Sequence, residues 1–83
     1  MRLYKFYADW CGPCRMMAPV AEKIANENGL ELVPVDIDDN PDLANEAGVQ
    51  SVPTLVLVEN DEEVARVTGL STKANLENAL GLA

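Results

Sequence analysis

Trp10-Cys11-Gly12-Pro13-Cys14 is the stretch on which the reading of this chain turns. Both cysteines of the protein lie in it. Ahead of it, Leu3-Tyr4-Lys5-Phe6-Tyr7-Ala8 is rich in residues that favour strands. Behind it, from Arg15 to Asn28, the apolar Met17, Val20, Ala21 and Ile24 recur at helical spacing. The motif therefore sits where a strand passes into a helix. Cys11 falls at the helix start, where unpaired backbone N–H groups and the positive end of the helix dipole favour a thiolate. Cys14 lies one turn on, so the two sulfurs can approach bonding distance. A nucleophilic thiolate with a second thiol beside it is the minimum equipment for reversible thiol–disulfide exchange.

Trp10-Cys-Gly-Pro-Cys14 resembles the active-site motif of thioredoxins, as do Ala8-Asp9 before it and Arg15-Met16-Met17-Ala18-Pro19 after it. Val52-Pro53-Thr54 is similar to that family's cis-proline loop, and Val67-Thr68-Gly69 to its later glycine. The likeness runs from about Tyr4 to the C-terminus. The family's usual first strand and first helix have no room ahead of the first strand here, so in length the chain resembles a glutaredoxin or a short redoxin. The resemblance implies a cis Val52–Pro53 bond facing the cysteines, with the Val52 backbone pairing to an extended substrate segment. It also implies that Gly69 keeps the substrate groove open, and that Gly12 and Pro13 set a reducing poise.

Composition sets the outer bounds. Eighty-three residues allow one domain, 1–83, and the 48% apolar share suffices for a core. No apolar run approaches the roughly 20 residues that span a membrane, and the first residues do not read as a signal peptide. The expectation is a soluble, cytoplasmic monomer. A net charge of −8 argues against nucleic acid and anionic membranes as partners. A structural disulfide within Cys-x-x-Cys would close only a tiny loop. A zinc site needs about four ligands, and the chain has no histidine and no third cysteine. Redox exchange is the reading that survives. Without histidine, Cys–His protease chemistry is excluded.

Arg2 to Ala8 reads as a central strand, interrupted by Lys5, where the family usually has a buried aspartate. Two readings of Lys5 stand. Its stem snorkels past the sheet to water, or its ammonium lies near the thiols and tunes them. Asp9 is expected to help start the helix, and Trp10 to form an apolar wall for substrate. Pro19 should kink the helix, and Asn28-Gly29 should end it. Leu30 to Ile37 reads as a parallel strand, placed at an edge by Pro34. Asp36, Asp38, Asp39 and Asp42 lack the glycine and terminal glutamate of a calcium loop. They read as a solvated turn, with Asn40 or Asp39 capping a short helix over Pro41 to Glu46 that Gly48 ends. Pro53 to Val58 and Glu63 to Thr68 form a hairpin around Glu59-Asn60-Asp61-Glu62. Ser71 or Thr72 caps a last helix whose buried stripe is Leu76, Ala79 and Leu80.

The sequence thus predicts a minimal thioredoxin-like α/β fold in the order βαβαββα, with a four-stranded mixed sheet covered by helices on both faces. The function it predicts is reduction of protein disulfides. Cys11 attacks, Cys14 resolves, and Trp10, Val52, Pro53 and Gly69 form the platform for the target. No bound cofactor and no metal are expected. The resemblance implies a thioredoxin-reductase-like electron donor and targets such as ribonucleotide reductase. Two other readings remain open: a glutaredoxin-like redoxin using glutathione, and a non-catalytic docking subunit using the same surface.

Overall fold

In the computed structural model, which describes residues 1–82, the chain runs β1 (Arg2–Tyr7), α1 (Gly12–Glu27), β2 (Glu31–Asp36), α2 (Pro41–Glu46), β3 (Thr54–Glu59), β4 (Glu62–Thr68) and α3 (Lys73–Ala79). The sheet order is β2-β1-β3-β4. β1 and β2 are parallel, joined through α1, and the other two pairings are antiparallel. This is the expected order, with strand ends moved by a residue or so.

Alternation along β1 sorts the two faces. Leu3 points to the same side as Leu55 and Leu57, where Met17, Ala21 and Ile24 of α1 and Leu76 and Leu80 of α3 close the main core. Phe6 points to the other side with Val35 and Val56, covered by Ala44 of α2. α1 continues through Pro19 as one helix. It ends where Gly29 takes a φ of 65°, allowing the Leu30 amide to reach back to the Ala25 carbonyl at 2.8 Å.

β2 is an edge strand, as Pro34 predicts. The Glu31 and Ile37 amides both bond to carbonyls on the β1 side, those of Met1 and Tyr7. Alternation then turns residue 34 outward, and the outward side lacks a donor there. The β3–β4 hairpin turns through Asn60 and Asp61, both at positive φ (52° and 64°), the turn geometry that matches strand twist.

Two expectations are corrected. Ala79 is exposed, while Leu76 and Leu80 are buried. The inward stripe of α3 instead includes half-buried Lys73 and Glu77, because Lys73 bridges Glu27 of α1 and Glu77, turning that flank toward α1. Asn40 occupies the N-cap position of α2 but makes no side-chain cap bond. Its amide donates back to the Asp36 carbonyl at 3.2 Å, and the Asp36 carboxylate accepts the Asp38 and Asp39 amides. The acidic run is thus a turn organised by Asp36. At α3 the Thr72 hydroxyl accepts the Asn75 amide at 3.1 Å, so Thr72 is the cap.

Candidate active site

The parallel arrangement of β1 and β2 brings their C-terminal ends to one edge of the sheet, the edge where α/β folds build their sites. Beyond β1 the chain turns tightly, with the Cys11 amide donating to the Ala8 carbonyl at 3.1 Å, and enters α1. Cys11 is the N-cap of α1, in extended conformation, and its sulfur accepts the Cys14 amide at 3.2 Å. Gly12 and Pro13 form the first turn, where a proline loses no helical hydrogen bond. Cys11 and Cys14 are joined as a disulfide with their Cα atoms 5.3 Å apart.

The helix starts at Cys11 as expected, its sulfur is the cap, and Asp9 contributes there through its backbone rather than its carboxylate. Asp9 is exposed, and its backbone carbonyl accepts the Arg15 guanidinium at 2.6 Å, which ties the approach loop to the first turn. Trp10 is 66% exposed, and its indole N–H donates to Asp38 at 2.9 Å. The bond crosses from the end of β1 to the turn after β2 and holds the ring beside the motif.

Ala8, Cys11 and Cys14 form a small buried cluster, walled by Tyr7, Ile37 and Val52. Of the residues expected to form a platform for substrate, Val52 packs against this cluster. The Val52–Pro53 bond is cis, and Pro53 is buried. The Pro53 carbonyl accepts the Gly69 amide at 2.8 Å, joining the loop before β3 to the end of β4. Gly69 has a φ of 97°, a conformation that suits glycine. Thr54 braces the same loop: its hydroxyl donates to the Ser51 carbonyl at 2.8 Å and meets the Thr68 hydroxyl at 3.2 Å.

Lys5 is half-buried on the α1 side of β1, with its ammonium 5.1 Å from the centre of the Tyr7 ring. Sequence reasoning missed Tyr7, Ile37 and Asp38. The signal for Asp38 and Ile37 was their place just past the end of β2, beside the end of β1. The signal for Tyr7 was the period-two relation to Lys5.

A hollow of about 260 Å³ lies on the α2 side between Leu43, Val56 and Val58, and neither cysteine lines it. The cysteines themselves are 5% and 3% exposed, beside the exposed Trp10.

A cystine at the N-terminus of the helix after the central strand, faced by a cis-proline loop, defines a thiol–disulfide oxidoreductase. The thioredoxin family profile matches residues 1–81, and the chain belongs to the thioredoxin family. It is 44% identical over 80 residues to a thioredoxin of Porphyra purpurea, covering 94% of this chain and 75% of that one. It is 46% identical over 76 residues to a bifunctional thioredoxin reductase/thioredoxin of Mycobacterium leprae, covering 89% of this chain and 17% of that protein. A solved variant of the Halobacterium salinarum thioredoxin superposes with a TM-score of 0.81 at 42% identity, covering 98% of this chain and 75% of that one. The activity is accordingly that of a protein-disulfide reductase working by dithiol–disulfide exchange. No helix among the described residues is long and apolar enough to cross a membrane.

Proposed function

We propose that Cys11 is the attacking thiolate and Cys14 the resolving thiol of a cytoplasmic, monomeric electron carrier whose single domain is 1–83. The observation that carries the assignment is the bond from the Cys14 amide to the Cys11 sulfur at the mouth of α1. An amide aimed at that sulfur stabilises it as an anion. In the first step the Cys11 thiolate attacks one sulfur of a target disulfide, and the other target sulfur leaves as a thiolate. In the second, Cys14 gives up its proton and attacks the Cys11 sulfur. The second target thiolate departs, and Cys11–Cys14 is left oxidised. Two electrons pass from the protein to its target.

Trp10, Val52, Pro53 and Gly69 form the platform for the target segment. Val52 offers its backbone to an extended chain. Gly12 has nothing within 4 Å of where a Cβ would stand, which leaves room for an approaching backbone. Pro13 keeps the first turn rigid, and Asp9 anchors Arg15. A thioredoxin reductase returns the electrons, a reading supported by the fusion of those two activities in the name of the Mycobacterium leprae relative. Ribonucleotide reductase is a candidate target.

The test is insulin disulfide reduction with NADPH and thioredoxin reductase, run beside glutathione and glutathione reductase. Turnover with the first and not the second supports the reading. Turnover with glutathione alone makes the protein a glutaredoxin-like redoxin. A Cys14→Ser variant should trap the mixed disulfide with its target, whereas Cys11→Ser should trap none. A double Cys11→Ser, Cys14→Ser variant that kept its biological role would make the protein a docking subunit.

A further inference from the structure

We propose that Lys5 is an electrostatic positioning residue that stabilises the thiolate of the reduced pair and so makes the protein a weaker reductant than its motif alone would make it. The inference rests on the reading of Cys11 and Cys14 as the exchanging pair, and it concerns what sets their poise.

Lys5 lies between Leu3, in the main core, and Tyr7, in the cysteine cluster, on the α1 side of β1. Its neighbours in the sheet, Pro34 on β2 and Leu55 on β3, carry no charge. The buried residues of α1, which covers this face of the sheet, are Cys14, Met17, Ala21, Ile24 and Ala25. Of these only Cys14 ionises. α3 contributes Leu76 and Leu80, with Lys73 at its margin paired to both Glu77 and Glu27.

The remaining charged groups near the sulfurs are engaged or exposed. Asp9 faces solvent, and its carbonyl holds Arg15. Asp38 holds the Trp10 indole, and Asp36 holds the turn amides. No carboxylate among the described residues forms an ion pair with Lys5. Its ammonium rests on the Tyr7 ring, and that ring is a wall of the cysteine cluster. A half-buried cation without a carboxylate partner, one ring away from a pair of thiols, has the nascent thiolate as its remaining counter-charge. In a partly water-excluded site that attraction is stronger than in bulk.

The direction follows. A cation beside the dithiol stabilises its ionised, reduced form and leaves the neutral disulfide unaffected. Reduction of the disulfide by two glutathione molecules, which yields the dithiol and glutathione disulfide, is therefore favoured by Lys5. The effect holds only above the pH at which the first thiol ionises, and it vanishes where both thiols are protonated.

The experiment is the pH profile of iodoacetamide alkylation of the reduced protein, with the glutathione redox equilibrium measured at pH 8 and pH 5. Wild type is compared with Lys5→Met, Lys5→Gln and Lys5→Arg. In both neutral variants the alkylation midpoint should rise by about 0.5 to 1 pH unit. At pH 8 their equilibrium with glutathione should move roughly 3- to 10-fold toward the disulfide, with no movement at pH 5. Lys5→Arg should stay near wild type. Neutral variants with the wild-type profile would overturn the proposal, as would an arginine variant that shifts as far as they do. If both neutral variants fail to fold, the Lys5 Nζ chemical shift in wild type decides. It should differ between oxidised and reduced protein at pH 8, and an unchanged shift overturns the proposal. The alkylation profile reads Lys5 even if insulin reduction fails, so the two readings fail separately.

Discussion

Gly69 shows how a single residue ties two parts of the site together. Its amide bonds to the Pro53 carbonyl while its backbone sits at a φ of 97°. A side chain would meet nothing within 4 Å, so the need for glycine is conformational rather than steric. Gly69→Ala should cost about 1 to 2 kcal/mol in urea unfolding and slow insulin reduction, because relieving the strain moves the amide off Pro53. At this scale the sequence was legible for the cysteines and less so for what surrounds them. The helix start was expected at Cys11, with Asp9 helping from the loop before it because aspartate caps helices well. The cap is Cys11, because the tight bond from its amide to Ala8 leaves its own side chain at the first turn. The Trp10–Asp38 bond spans 28 residues and depends on two strand ends meeting, which local pattern does not encode.

At the scale of elements, Arg66 binds β4 to α2. Its guanidinium donates to the Ala47 and Gly48 carbonyls past the end of the short helix and also pairs with Glu63 on its own strand. The bond from Arg66 holds the Glu63 carboxyl below its ordinary value of 4.5. A carboxylate whose folded pKa is depressed adds stability above its unfolded pKa, and that stability is lost as pH falls through the folded one. Arg66→Gln gives up the bonds to the Ala47 and Gly48 carbonyls together with this exposed, solvent-screened pair, and should be less stable than wild type at pH 7 by about 1 kcal/mol in urea unfolding. The gap between the two proteins should narrow as the pH drops below 4.5. The elements themselves were readable from period and punctuation: Gly29, Pro34 and Thr72 mark boundaries that the fold respects. Ala79 was misassigned because an apolar stripe of three residues fits either flank of a two-turn helix. Contact with α1 through Lys73 decided which flank turned inward.

For the molecule as a whole, charge is the dominant imbalance, with 14 acidic side chains against 6 basic ones. Among the described residues, the four ion pairs between side chains lie at the surface and contribute little. Self-repulsion therefore outweighs them, and added salt should stabilise the fold. Raising NaCl from about 0.01 to 0.5 M should increase the melting temperature by roughly 2 to 5 °C. A fall in melting temperature would mean that the ion pairs matter more than the excess of carboxylates. The sheet has one further property at this scale. Its outer strand β2 presents Leu32, Pro34 and Asp36 amide positions to the outside, and the middle one has no hydrogen to give. Incoming chains that would extend the sheet meet a broken ladder, so concentrated protein is guarded against fibril growth along that side. A Pro34→Val variant would restore the ladder and should form thioflavin-positive aggregates at concentrations where the parent stays clear.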